Sequence, residues 1–314
     1  MSSPRQARVR ALAKINLDLR VLAKRPDGYH ELRTIFQTVS LADTLEIAFA
    51  PARQTAIELI DPAAIADNLV VRAVRMAMDA MRLTGRVSMR LRKRIPMGAG
   101  LGGGSSDAAA VLLALPVLAG RELSVATLSA LGQQLGSDVP FFLLGGTAVG
   151  IGRGTEVFPL PDTHPSPGLI VAPGLHVATA GAYRALSPRL TSESQENKIF
   201  SFQTQTWSVV DGGAGGNDFE PVVFEQESRL ATLKQMLIRA GASPAMLSGS
   251  GSALFGLFRD RDGRRRALER FRNEKTFPIS LVTRARYRAI WRRALQPHLD
   301  SERNAWPPRS RYTQ

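Results

Sequence analysis

The stretch from Pro96 to Leu115, PMGAGLGGGSSDAAAVLLAL, concentrates residues able to handle phosphate. Five of the seven residues from 98 to 104 are glycine, and Ser105, Ser106 and Asp107 then open an alanine-rich helix. Glycines let the backbone turn back with converging N–H groups, and a helix N-terminus adds partial positive charge. Together these make an anion cradle, with two serine hydroxyls on hand for phosphate oxygens or Mg²⁺. Neither generic phosphate loop is complete. Gly98, Gly100 and Gly103 satisfy G-x-G-x-x-G, but the acid about twenty residues on, Glu122, follows a helix rather than a second strand. In the G-x-x-x-x-G-K spacing, Gly104 stands where the lysine belongs.

Further segments carry groups for proton transfer or recognition. AKINLDL sets Lys14 and Asn16 two residues apart, on one face of a strand. RPDGYHELRTIFQ offers Asp27-Gly28 as a turn that presents Tyr29 and His30. LGSDVPFFLLGG puts Asp138 after a helix stop and before a proline, in apolar surroundings where a carboxylate needs a partner. Taken singly, each has an ordinary reading: a surface lysine, a turn histidine, a cap aspartate. Near the C-terminus, MLSGSGSALFGLF (246–258) sets the small residues Ser248 to Ala253 between apolar strands. Alone this is a packed strand-turn; paired with the first glycine loop it suggests a second wall of one phosphate site.

The elements that must position these groups follow from hydrophobic period. Arg8 to Leu22 alternates in part and reads as a strand with a bend. Ile35–Val39 and Thr44–Phe49 are strand candidates split by a turn at Ala42-Asp43. At Asp67-Asn68 the period lengthens, and Leu69, Val70, Ala73, Val74, Ala77, Met78 and Met81 mark a helix ending near Gly85. Val87–Leu91 leads as a strand into the glycine loop. Ser105–Leu115 and Val125–Leu135 read as helices and Thr147–Ile151 as a strand. The proline-rich segment from Pro159 to Pro167 is the candidate linker. Beyond it lie a strand at Gly168–Ala172, a helix at Ala180–Leu186 and a polar insert at 189–216. A helix at 226–240, a strand pair near 245–258 and a charged helix at 263–273 follow.

Composition excludes several chemistries. With no cysteine among 314 residues, disulfide frameworks, zinc-thiolate sites and thiol nucleophiles are out. No apolar run follows the basic N-terminus, so a cleaved signal peptide is not expected, and the twelve residues Ala108–Ala119 are too few to span a bilayer. The expectation is a cytoplasmic protein that does not engage membranes. The net charge of +14 suggests a polyanion partner. Yet eight arginines against Asp300 and Glu302 in 284–314 supply 8 − 2 = 6 of those charges, and no nucleic-acid motif is present. Small-molecule substrates, not nucleic acid, are expected.

PMGAGLGGGSSDAA resembles the central motif of the GHMP small-molecule kinases, a family including galactokinase, homoserine kinase and mevalonate kinase. AKINLDL, DGYHEL, GSDVPFFL, PGLHVATAGAY, NDFE and LSGSGSALF narrow the resemblance to the branch whose acceptor is a cytidyl diphosphate-linked methylerythritol, made on the non-mevalonate route to isoprenoids. It implies an α+β, two-domain GHMP kinase fold. Residues 1–160 would form a ribosomal-protein-S5 domain 2-like domain, 161–296 a ferredoxin-like domain and 297–314 a basic, irregular tail. By the same resemblance Asp138 is catalytic with Lys14 as its basic partner, and Asn16 orients the acceptor hydroxyls. His30 would bond the cytosine edge, with Tyr29 and Tyr183 on its faces and Phe36 beside the substrate. Pro96, Gly98, Gly100, Leu101, Gly102, Gly103, Gly104, Ser105 and Ser106 would hold the phosphates of ATP. Ser248, Gly249, Ser250 and Gly251 would wall the same site, with Asn68 and Lys93 on the adenine side. Mg²⁺ is expected with the ATP, and Ser106 is the residue named toward it. A monomer or weak homodimer is expected.

Overall fold

In the computed structural model, which describes residues 4–62, 67–190, 202, 209, 213, 215–299 and 307, the alternating N-terminal segment is one long strand, β1 (Arg5–Lys24). It turns at Asp27-Gly28 into the antiparallel β2 (His30–Pro51). Gly28 takes φ +84° there, a left-handed conformation open to glycine without steric cost.

The turn expected at Ala42-Asp43 does not form. Both residues stay in register, Ala42 opposite Leu12 and Asp43 opposite Ala11. The irregularity falls just before them, where 39–41 face Ala13 alone. That excursion has a purpose, since Val39 bridges Leu281 and Ser40 Oγ accepts from the Ser280 N–H. Asp43, whose polarity suggested a turn, is a fully buried acceptor instead.

The helix α1 (Leu69–Met81) starts where the period changes, with Asn68 Oδ1 accepting from the Val70 N–H at 3.0 Å. It closes at the left-handed Arg82, and Gly85 opens the next strand rather than ending the helix. That strand, β4 (Gly85–Arg92), pairs with β2 and with a short parallel edge strand, β3 (Ala56–Ile60), which the sequence reading missed. The glycine loop then leads into α2 (Gly103–Ala119), followed by α3 (Val125–Leu135), α4 (Val139–Leu144), β5 (Thr147–Gly152) and β6 (Glu156–Pro159). The first sheet runs β3-β4-β2-β5-β6, with β1 also on β2. Helix α2 is buried from Ser106 to Leu118 and is the spine of this half's core.

The second half is built on β7 (Pro167–Ala172), α5 (Thr179–Leu186), α6 (Glu220–Gln226), α7 (Ser228–Arg239), β8 (Ala245–Leu247), β9 (Leu254–Leu257), α8 (Arg261–Arg270) and β10 (Lys275–Ser280). The helix expected at 226–240 is α7, and the shorter α6 that precedes it was not read from the sequence. Strand order β10-β7-β9-β8 places the first strand of this unit between its last and third, the ferredoxin-like arrangement. Ala13, Ile15 and Leu17 of β1 pack against Ile170, Phe255 and Ile279 in a core shared by the two sheets. The polar insert at 189–216 and the tail at 297–314 lie largely outside the described residues.

The basic C-terminal stretch holds one more element. Helix α9 (Arg284–Leu295) returns to the first half, burying Tyr287, Trp291 and Leu295 in its core. Tyr287 Oη donates to the Phe142 carbonyl at 2.5 Å. These residues recur at four-residue intervals, the helical period, so residues 284–295 of the expected second domain pack with the first.

Candidate active site

Strand alternation aims Ala13, Ile15 and Leu17 into the shared core, which turns Lys14 and Asn16 the other way, into a cleft of about 940 Å³. Lys14 Nζ donates to Asn16 Oδ1 at 2.7 Å and lies 3.4 Å from Asp138 Oδ2. Asn16 Nδ2 donates in turn to Thr34 Oγ1 at 2.7 Å, and Thr34 Oγ1 to the Asp18 carbonyl. The lysine side chain is 4% exposed and the Asp138 carboxylate 30%, so the pair has one wet end. Asp138 immediately precedes α4 and makes no capping bond, which leaves its carboxylate to the cleft. Phe36, two positions from Thr34 on β2, sets its ring 5.5 Å from Lys14 Nζ.

The two glycine loops meet beside this pair. The Lys14 N–H donates to the Leu101 carbonyl at 3.0 Å, Ala253 N–H to the Ala99 carbonyl at 3.2 Å, and Ser248 Oγ to the Gly100 carbonyl at 2.9 Å. Asn217 of the NDFE segment braces the second loop, its Nδ2 donating to the carbonyls of Leu247 and Gly249 at 2.8 Å each. At the start of α2 the first intrahelical bond runs from the Ser106 N–H to the Gly102 carbonyl. Helix geometry therefore leaves the N–H groups of Gly103, Gly104 and Ser105 without intrahelical acceptors.

Several residues expected at the ATP site have partners within the protein. Ser106 is 2% exposed and spends its hydroxyl proton on the Leu12 carbonyl at 2.7 Å. One step further round the helix than Ser105, it faces the core, whereas Ser105 lines the cleft. Ser105, Gly100, Gly102, Gly249 and Ser250 line the cleft. Ser248 is fully buried as a tie between the loops. Lys93 is held by two carboxylates, and Asn68 is occupied as the cap of α1 and by donation to Asp61.

Tyr29, His30, Phe36 and Tyr183 all line the same cleft. His30 stacks on Tyr183 with ring centroids 4.6 Å apart, and Tyr183 meets Phe219 edge-on at 4.8 Å. One face of the Tyr183 ring therefore lies against His30. Tyr29 is half exposed and carries the Arg153 guanidinium on its ring at 3.3 Å. Burial, assisted by Lys24, holds His30 below the usual histidine range. Ser187 Oγ donates to the Tyr183 carbonyl and lies 2.8 Å from His30 Nε2. The network therefore assigns the proton of the neutral ring to Nε2 and leaves Nδ1 as an acceptor. Tyr183 is pushed up to about 12 by burial and then by Asp138, so its phenol stays neutral.

Sequence reasoning missed Thr34, Arg153 and Ser187. Thr34 shares the strand face of Phe36, and Arg153 stands between Gly152 and Gly154, signals that could have exposed both.

Comparison with known proteins identifies the family of the chain. Residues 68–146 match the model of the GHMP kinases N terminal domain, and residues 209–275 that of the GHMP kinases C terminal domain. A 4-diphosphocytidyl-2-C-methyl-D-erythritol kinase of Solibacter usitatus is 68% identical over 99% of both chains. One from Pelotomaculum thermopropionicum is 41% identical over 87% of this chain and 96% of its own. A crystal structure of a 4-(cytidine 5'-diphospho)-2C-methyl-D-erythritol kinase superposes with a TM-score of 0.73 at 38% identity, covering 87% of this chain and 98% of that one. A homoserine kinase from Cytophaga hutchinsonii, 18% identical with a TM-score of 0.68 over 90% and 96% of the two chains, shares the fold.

Proposed function

This chain belongs to the GHMP kinases, in the 4-diphosphocytidyl-2-C-methyl-D-erythritol kinase branch, and we propose that its cleft performs the branch's reaction with the residues assigned below. The reaction is ATP-dependent phosphorylation of the 2-hydroxyl of 4-diphosphocytidyl-2-C-methyl-D-erythritol, on the methylerythritol phosphate route to isoprenoid precursors. The carrying observation is the Lys14–Asp138 pair, 3.4 Å apart, at the mouth of the joined glycine loops.

Phosphoryl transfer through a loose transition state asks a protein for positioning and charge stabilisation. The N–H groups at the start of α2 and the glycine backbone seat the phosphates of ATP. Asn16, fixed by Thr34, orients the acceptor. As the new P–O bond forms and the bond to ADP breaks, Asp138 accepts the hydroxyl proton and passes it to solvent through its exposed edge. Lys14 stabilises the charge on the attacking and transferring oxygens. The described residues hold no cluster of three or more histidines or acids suited to a metal. Mg²⁺ enters with ATP as the Mg·ATP substrate, and no step is routed through a protein-held metal. No helix among the described residues is long and apolar enough to cross a membrane. The site is formed within one chain, which suits a cytoplasmic monomer or weak homodimer acting on small molecules.

Cytosine presents an exocyclic amine, and in this reading His30 Nδ1 accepts from it; the tautomer set by Ser187 supports that role. Because His30 is shifted below 6.5, the acceptor persists down to that pH and is lost as protonation sets in further down. The KM for the cytidyl substrate is expected to stay flat from alkaline pH to 6.5 and to rise below it, with the KM for ATP unaffected by His30. A KM profile that His30→Ala leaves unchanged would remove Nδ1 from recognition.

The direct test is coupled ADP release with Mg·ATP, comparing the cytidyl methylerythritol with homoserine, mevalonate and galactose. Turnover with the first alone is the expected result. Turnover with another acceptor would keep the fold and the phosphate site but overturn the assigned recognition end.

A further inference from the structure

Lys93, Asp43 and Asp107 form a buried cluster that phosphoryl transfer itself does not use. Lys93 Nζ lies 2.5 Å from Asp43 Oδ2 and 2.6 Å from Asp107 Oδ2, and the two carboxylates are 0% and 2% exposed. Asp43 Oδ1 also accepts from the N–H groups of Arg94 and Ile95, at 2.5 and 2.8 Å. Asp107 Oδ1 is buried and has no hydrogen-bond partner among the described residues.

The cluster ties together both ends of the glycine loop. Lys93 leaves β4 just before the loop, Asp107 sits in α2 just after it, and Asp43 anchors them to β2. A Cβ placed on Gly103 would lie 3.2 Å from Lys93 Nζ, so the cluster is directly beneath the cradle floor. We propose that this cluster is the clasp of the phosphate cradle. Lys93, Asp43 and Asp107 are positioning residues that act on ATP through the loop backbone and the charge behind it. This rests on the ATP site proposed above.

Two carboxylates and one ammonium leave a surplus negative charge buried behind the seat of an anionic ligand. That surplus opposes ATP unless Asp107 keeps a proton. Burial, partly offset by Lys93 and reinforced by Asp43, pushes Asp107 up to about 7. Lys93 and Asp43 are the charged groups in contact with it. Of the other elements packed on α2, α1 turns Val70, Ala73 and Val74 inward, α3 contributes Leu128 and Leu135, α4 contributes Phe141 and Phe142, and β1 meets Ser106 through the Leu12 carbonyl. Lys14 of β1 lies nearby, its Cγ against Gly102.

The test is the ATP dissociation constant of full-length wild type, Asp43→Asn and Asp107→Asn, measured calorimetrically at pH 6 and pH 8; the ionisation of ATP is common to all and cancels in the ratios. Asp43→Asn removes one anchor and the charge that holds Lys93. It is expected to weaken ATP about tenfold or more at both pH values, while the affinity for the cytidyl substrate scarcely moves. Asp107→Asn keeps an acceptor for Lys93 and drops the surplus charge. It is expected to match wild type at pH 6, to bind ATP severalfold more tightly at pH 8, and to melt at a higher temperature than wild type at pH 8. The sign follows because a carboxyl raised above its unfolded value of 3.8 loses native stability as pH climbs from there through 7.

Unchanged or tighter ATP binding by Asp43→Asn would mean that Lys93 acts on the nucleotide directly, and equal loss of both substrates would leave only a structural role; either overturns the clasp. An Asp107→Asn that tracks wild type at both pH values overturns the charge argument. Should Asp43→Asn fail to fold, Lys93→Met is expected to show the same selective loss of ATP, and equal losses for both substrates would overturn it. A wild type that binds no ATP would instead defeat the proposed site.

Discussion

Asp138→Asn is expected to lower kcat by about 10²–10⁴-fold while leaving the affinity for ATP near its wild-type value. Asparagine keeps the shape of the side chain and can still touch Lys14, but it cannot take the hydroxyl proton. The loss therefore falls on the step in which proton transfer and P–O bond formation coincide, and kcat and kcat/KM for the cytidyl substrate drop together. Single-turnover kinetics with bound ATP read the step directly. Full activity in the variant would remove Asp138 from the chemistry and leave the 3.4 Å approach to Lys14 as a structural ion pair.

Gly100→Ala should do as much damage by an unrelated route. Gly100 has φ +77°, and a Cβ there would stand 1.9 Å from the Ser248 carbonyl oxygen and 2.9 Å from its carbon. The left-handed backbone alone costs an alanine about 1–2 kcal/mol. The clash adds to this, because both contacts are rigid backbone. Relief requires the two glycine loops to separate, which breaks the Ser248–Gly100 and Ala253–Ala99 hydrogen bonds. The expected result is a lower melting temperature together with a loss of ATP affinity of about 10²-fold. Native stability and native ATP binding would mean that the loops are not fixed against each other.

What was legible from residues alone depended on how local the cause was. Val125–Leu135 could be bounded because its causes are local: Ser124 caps it and Gly136 ends it, each the residue next to the segment. Lys14 and Asn16 could be put on one strand face by the two-residue period. Their pairing with Asp138 has no sequence period behind it, since the fold brings the partners together from distant positions; only the family resemblance pointed to it. The side of α2 that each serine faces depends on which way the helix packs, so Ser105 and Ser106 looked alike until the Leu12 carbonyl was in place. Asp43 misled because a turn-forming residue type is also the type that binds two backbone N–H groups and a lysine when buried. Helix α9 was overlooked since its arginines mask three apolar residues at helical spacing. The closed His30–Tyr183 stack joins a hairpin start to a helix of the other half, and no local pattern announces it.

The return of α9 to the first half has a consequence for how the chain is made. Tyr287 and Trp291 fill the first core, and β10 pairs with β7, so neither half can finish packing until residues 275–295 have emerged from the ribosome. At about 5–20 residues per second, the stretch from Pro159 to Leu295 takes roughly 7–27 s to synthesise. Over that interval the nascent first half shows an apolar seat to chaperones and proteases. Truncation before residue 284 would make that exposure permanent, so the first half is finished only by the aromatic face of a helix made more than a hundred residues later.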